Sequence, residues 1–428
     1  MVWLGGLIVI LTFVAIIKRY ETRMVLFLSG VLMALLSQQP WAAFAAFQKA
    51  MVNGGLVPVI STVMGFAFVM KYTKCDAHLV HLLAAPLTKA RAVLIPGAVL
   101  VTFLINIALP SAAGCAAAVG AILIPTLMGA GVHPAIAASA VLAGTWGSAF
   151  NPGNMHNPYI AKLANISDPM VVIGGHTTAA LAGMVVVAVV LTAVAMLRKE
   201  DRGYEGAALA VGGVDDFKVN IVKAIVPVVP LLMLVAGSLG KLVPSVPAFK
   251  LIHAFTVPEA MIIGVFLGFL VNLRTATSQD TSKQFFAGMG EAYASVIGII
   301  IGAAVFNEGM KLIGLTGALI DFMKHSESIA KIAATFGPFI VAVLSGSGDA
   351  ATLAFNGAIT PHAKQFGFDI LPMGSTAFLT GALGRSMSPV AGAAIVCAGL
   401  AGINPMEITR RNWPAMVLAA IVVMFILL

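Results

Sequence analysis

The sequence predicts an all-α polytopic membrane protein with two internal repeats of inverted topology, each holding a re-entrant hairpin and a broken transmembrane helix. Three observations predict it. Of 428 residues, 60% are hydrophobic and 10% are charged, whereas a soluble domain carries about 25% charged residues. Several apolar runs approach or exceed the ~20 residues that a spanning helix needs. Two stretches, at 109–170 and 345–406, put Gly, Ser, Pro and charged residues inside otherwise apolar sequence. Backbone that leaves the helix at membrane depth survives only where protein buries it or water lines it. Transporters form their substrate sites from such breaks.

The two stretches also resemble each other. LPSAAGCAAAVGAILIP (109–125) aligns with SGSGDAATLAFNGAITP (345–361), so Ser111 falls opposite Ser347 at a displacement of 236. GTWGSAFNP (144–152) aligns with GALGRSMSP (381–389) at 237, and ISDPM (166–170) meets INPM (403–406) after a one-residue gap. Landmarks in one order at one displacement indicate a duplication.

Taken in order, residues 2–17, 24–36 and 56–70 are spans or near-spans, the second being short. The first lacks a basic leader and a small-residue cleavage site, so it is a span and not a removable signal. Residues 76–91 mix His78, His81, Lys89 and Arg91 with leucines. They are expected to form an amphipathic helix lying in the interface, its histidines on the polar face and not a metal pair. Residues 92–109 span, 110–131 form the first hairpin, 134–164 are a span broken at 151–158, and 170–197 span again. The polar, glycine-rich segment 198–223 is the linker between a first repeat, 1–197, and a second, 224–428.

The second half repeats this order. Residues 224–239 span, with Pro227 and Pro230 inside, and 258–273 and 293–306 follow. Residues 308–331 take the place of the interfacial helix. Residues 332–344 lead into a hairpin with its tip at 346–349. Residues 370–402 are the second broken span, interrupted around 384–389, and 413–428 close the chain. The basic clusters at 18–23 and 198–202 should both face the cytoplasm. Five crossings between them would put them on opposite faces, so one segment is misassigned, with 24–36 and 224–239 the suspects.

The net charge of +8 sits in short clusters beside apolar runs. There it fixes orientation, and nucleic acid is not an expected partner. Cys75, Cys115 and Cys397 have no metal-like spacing and read as structural thiols. No metal or other cofactor is implied.

The chemistry lies in the breaks. A hairpin tip places helix N-termini, with unpaired N–H groups and the positive dipole end, at the membrane midplane, where they suit a carboxylate. Ser111, Ala112, Ala113 and Gly114 make one tip; Gly346, Ser347, Gly348 and Asp349 make the other. Small-residue helix packing would give the same composition. Asp349 costs about 2.5–3.5 kcal/mol inside a membrane unless partnered, so cation coordination, proton carriage or a salt bridge would each explain it. Arg385 is either its counter-charge or a bidentate ligand for substrate carboxylate. Asn151, Asn154, His156 and Asn157 stand opposite Ser388 and its neighbours in the duplication. Amides can donate to carboxylates, and His156 either carries a proton or is simply hydrogen-bonded. Thr145 and Thr380 flank the breaks. Thus the expected substrate site is Ser111, Gly114, Asn151, Asn154, Asn157, Ser347, Gly348, Arg385, Ser386 and Ser388, with Asp349 and His156 for a coupling Na⁺ or H⁺.

LGRSMSPVAGAAIVCAGLAGINPMEITRR (383–411) closely resembles the corresponding stretch of DcuC-type anaerobic four-carbon dicarboxylate carriers of the ion transporter superfamily. GSGDAATLAF (346–355) and GTWGSAFNPGNMHNPYIAKLA (144–164) are similar to the same family. The resemblance implies transport of fumarate, malate, aspartate or succinate across a bacterial inner membrane, by exchange or succinate efflux. It also implies a site at the hairpin tips and Arg385, a homodimer and an elevator-like moving domain. A dianion entering against ~100 mV, inside negative, costs about 4.6 kcal/mol, so uptake needs accompanying cations. Rivals are a carrier of another organic anion and a Na⁺/H⁺ exchanger. An intramembrane enzyme lacks a nucleophile–base pair, and blind duplicated hairpins argue against a continuous channel.

Overall fold

The computed structural model describes residues 1–18, 20–54, 56–84, 93–204, 217–242, 255–324 and 327–428, and no β-strand occurs among them. The helices of the first half are α1 (Val2–Ile17), α2 (Thr22–Leu36), α3 (Pro40–Met51), α4 (Val57–Tyr72), α5 (Cys75–Ala84), α6 (Leu94–Ala108), α7 (Ala112–Gly129), α8 (Pro134–Ala143), α9 (His156–Leu163) and α10 (Pro169–Leu197). Those of the second half are α11 (Ile221–Ile225), α12 (Val229–Leu242), α13 (Val257–Val271), α14 (Ser278–Glu291), α15 (Gly298–Leu312), α16 (Leu315–Lys324), α17 (Glu327–Ser345), α18 (Gly348–Ala358), α19 (Ile370–Arg385), α20 (Gly392–Ala401) and α21 (Pro405–Leu427). By length and composition, Ala112–Gly129, Pro169–Leu197, Ser278–Leu312, Ser328–Ser345 and Pro405–Leu427 can each cross a membrane. Residues 85–91 of the expected interfacial helix and 205–216 of the linker lie outside the described residues.

Local chemistry sets many of the ends. Proline stands in the first turn of α3, α8, α10, α13 and α21, where a missing N–H costs nothing. The Asp168 and Asn404 side chains accept from the N–H of the second residue of α10 and α21, and Thr256 with Glu259 makes a capping box on α13. Pro227 and Pro230 turn the expected span at 224–239 into α11, a 3₁₀ turn at Val226–Val228, and α12.

Several bounds differ from the sequence reading. Helix α3 stands between the first two near-spans and the third, where Gln38, Gln39 and Pro40 interrupt the apolar pattern. The span expected at 293–306 is part of one continuous helix, α14 and α15 joined by a π-helical stretch, Ala292–Ile297. Its first turns, SQDTSKQ, are polar and hide its length from hydropathy. Helix α21 starts eight residues before the expected 413, because Glu200 and Glu407 neutralise Arg411 in its polar start. The first break opens earlier, since α8 ends at Ala143 and only a 3₁₀ turn, Gly147–Phe150, precedes α9.

One buried apolar cluster joins α6, α7, α8, α10, α19, α20 and α21, and a second joins α1, α2, α15 and α18. The first contains a recurring backbone contact. A Cβ on Gly147 would overlap the Phe103 carbonyl of α6, and one on Gly384 would overlap the Phe339 carbonyl of α17. Gly147 and Gly384 are opposite each other in the aligned sequences, as are Phe103 and Phe339.

Candidate functional site

A cavity of about 470 Å³ lies where the interrupted segments converge. The short connection between α6 and α7 brings Ser111 to it. The connection between α17 and α18 turns at Gly346, which has φ +77° and packs against the break between α19 and α20. A Cβ there would stand 2.9 Å from the Val390 carbonyl, so position and handedness both call for glycine.

The first residues of α7, α9, α18 and α20 all line this cavity: Ala112 and Ala113, His156, Gly348 and Asp349, Gly392 and Ala393. Each helix directs about half a positive charge along its axis toward its first turn. Ser111 Oγ accepts from Gly114 N–H at 3.2 Å, Ser347 Oγ accepts from Ala350 N–H at 3.4 Å, and Asn154 Oδ1 accepts from His156 N–H at 3.1 Å. Helix α20 starts with no side-chain cap. The arrangement offers an anion several backbone donors at once.

Charge is arranged around these donors. His156 Nε2 lies 3.0 Å from Asp349 Oδ1; the histidine side chain is 1% exposed and the aspartate side chain 50% exposed, toward the cavity. The carboxylate assigns the hydrogen to Nε2. His156 Nδ1 is buried and has no hydrogen-bond partner among the described residues, and the ring rests against Phe378 at 4.4 Å. Arg385 lines the same cavity, and its guanidinium donates to Thr145 O at 2.6 Å and Thr145 Oγ1 at 3.4 Å. Thr145 follows the end of α8 and Arg385 is the last residue of α19. A cation belongs at two helix C-termini. The pairing of Asp349 with Arg385, one of two roles the sequence allows, is absent: among the described residues no hydrogen bond or salt bridge joins them, and Asp349 pairs with His156 instead.

The structure therefore brings Ser111, Asn154, His156, Gly348, Asp349 and Arg385 to one cavity. The other expected residues serve nearby backbone. Gly114 receives the Ser111 cap and Ser347 caps α18. Asn151 donates to Ile107 O at 2.7 Å and accepts from Gly153 N–H at 2.8 Å. Asn157, fully buried, donates to Ala149 O and Asn151 O. Ser386 Oγ donates to Ala382 O, and Ser388 Oγ accepts from Val390 N–H. Thr380 is buried, and its hydroxyl donates to Thr376 O at 2.8 Å.

Sequence reasoning missed Ser148, Thr352, Phe378, Glu291 and Ser295, all on the cavity wall. Two carried a signal. Ser148 is the position opposite Arg385 in the duplication, and Thr352 follows Asp349 by one helical turn. Glu291 and Ser295 sit at the π-helical stretch of an apolar span, which has no distinctive composition.

Comparison with known proteins follows the same direction. The sequence profile of one family, DcuC, described as C4-dicarboxylate anaerobic carrier, matches residues 4–428. A transporter of Haemophilus influenzae is 38% identical over 276 residues, which cover 63% of this chain and 97% of that protein. The anaerobic C4-dicarboxylate transporter DcuC of Escherichia coli (strain K12) is 25% identical over 423 residues, 93% of this chain and 89% of that one. Among solved structures, the antimetabolite efflux pump MtrF of Neisseria gonorrhoeae superposes with a TM-score of 0.61 at 12% identity, over 92% of this chain and 83% of its own. The YdaH transporter of Alcanivorax borkumensis gives 0.61 at 15% identity, over 90% and 86%. These two likenesses show a shared fold.

Proposed function

This chain belongs to the DcuC family of C4-dicarboxylate anaerobic carriers, and on that premise we propose that it is a secondary active transporter of four-carbon dicarboxylates. It is a multi-pass membrane transporter and not an enzyme. In our reading it carries succinate, fumarate, malate or aspartate across a bacterial inner membrane, by exchange or with coupled cations.

The observation that carries the reading is the convergence of four helix N-termini and Arg385 on one cavity. One carboxylate of the cargo sits against the guanidinium; the other takes the free N–H groups of α7 and α20. The Asp349–His156 pair is the place for a coupling proton or Na⁺. The matched contacts of Gly147 on Phe103 and Gly384 on Phe339 support two repeats, 1–197 and 224–428, joined by 198–223. Each repeat supplies a hairpin, α6–α7 or α17–α18, and a broken helix. A homodimer with an elevator-like motion of these elements completes the proposal.

Reconstituted protein should exchange external labelled succinate for internal fumarate, with and without a Na⁺ gradient. Absence of counterflow for every four-carbon dicarboxylate tried would end the reading.

A further inference from the structure

We infer that, within the dicarboxylate reading on which this rests, the site prefers a cargo that also bears an amino group, and that Asp349 accepts that ammonium. Asp349 uses only Oδ1, toward His156; among the described residues Oδ2 has no hydrogen bond, and half of the side chain is open to the cavity. A carboxylate placed so costs desolvation on every occupied cycle unless a cation meets it.

The charge balance of the wall points the same way. Asp349 and Glu291 both face the cavity, against the single guanidinium of Arg385. Arg385 makes no hydrogen bond or salt bridge with Asp349 among the described residues; its guanidinium donates to Thr145. The site therefore presents an anion and a cation that are not bonded to each other, on the same wall as the helix N-termini. A plain dianion that uses Arg385 and the helix N-termini leaves the second oxygen of Asp349 facing the cavity without a cation. A four-carbon dicarboxylate with an amino group at C2 keeps a carboxylate for Arg385, another for the helix N-termini, and gives Asp349 a charge-assisted hydrogen bond. Its ammonium takes the place of the coupling cation that the Asp349–His156 pair would otherwise hold, so the cargo alone carries one negative charge fewer across the membrane.

Three competitors that differ only at C2 test this in wild-type proteoliposomes: L-aspartate with an ammonium, L-malate with a hydroxyl and succinate with hydrogen. L-Aspartate should inhibit counterflow at concentrations about ten- to a hundredfold lower than the other two, the range for one hydrogen bond to a charged group. Asp349→Asn keeps an acceptor for His156 and should bring the three inhibition constants together. If L-malate or succinate competes as well as L-aspartate, the amino preference is wrong while the dicarboxylate reading stands. If none of the three exchanges, the dicarboxylate reading fails first. If the preference survives in Asp349→Asn, another group binds the ammonium. Should that variant not fold, the wild-type series decides the preference alone, and a Glu291→Gln protein that keeps it leaves Asp349 as the acceptor.

Discussion

Arg385 is held at a point where two helices end, its guanidinium on the Thr145 carbonyl at 2.6 Å. That contact uses one edge of a planar five-donor group and leaves the rest for a carboxylate. Arg385→Lys keeps the charge and loses the fork. We expect it to weaken dicarboxylate binding by about 1.5–3 kcal/mol, read as a rise in KM for exchange, with folded protein recovered. An unchanged KM would confine Arg385 to bracing the broken end of α8. His156 poses a different question, because its Nε2 serves Asp349 while its buried Nδ1 has no hydrogen-bond partner among the described residues. Gln at this position can donate the same hydrogen bond but cannot carry a proton. If the pair carries the coupling proton, His156→Gln should flatten the pH dependence of exchange; a profile identical to wild type would clear the pair of that role.

Among the elements, the breaks are legible in the sequence because Gly, Ser, Pro and charge stand out against an apolar background. Their edges are less so. Helix α8 stops at Ala143 because Gly144 and Gly147 let the α6 backbone come close, and that partner is invisible along the chain. The meeting of His156 with Asp349 joins residues 193 apart, which no local pattern encodes. Nor does AYASVI announce a π-helical stretch. It is braced from outside: Arg23 donates to Ala294 O at 2.5 Å, and Tyr293 Oη donates to Met51 O at 3.0 Å. π-Helical stretches recur at functional sites, and this one carries Ser295 and Val296 on the cavity wall. The glycine contacts give a direct test of the packing. Gly384→Ala forces a Cβ into the Phe339 carbonyl and should cost about 1–3 kcal/mol as overpacking, seen as a lower unfolding temperature in detergent. Gly6→Ala in α1, with nothing within 4 Å of the new Cβ, should be neutral or slightly stabilising. Equal effects from the two would mean that α17 and α19 are not packed this closely.

At the scale of the whole molecule, the end of the first half is tied to the last helix of the second. Arg411 of α21, with its side chain 4% exposed, donates to Glu200 Oε1 at 2.6 Å and Oε2 at 2.7 Å, and to Glu407 Oε2 at 2.8 Å. Glu200 follows α10, which packs along α21, and its backbone carbonyl accepts from His133 N–H at 2.9 Å. Burial by itself would raise the Glu200 pKa; the hydrogen bonds and charge of Arg411 outweigh it and hold the carboxyl below its ordinary value of 4.5. A carboxyl lowered on folding stabilises the protein fully above its unfolded pKa and loses that contribution as pH falls through the folded one. Glu200→Gln removes the charge but keeps the shape. It leaves a buried guanidinium with Glu407 alone, a loss of about 1–3 kcal/mol at neutral pH. The unfolding temperature of the variant should therefore lie below wild type at pH 7, and the gap should close as pH falls below about 4.5, where the wild-type carboxyl also takes up a proton. Comparing the two proteins cancels the acids that do not share Arg411, Glu21 among them. A gap that is absent at neutral pH, or that persists into acid, would show that the contact between the two halves does not depend on this charge pair.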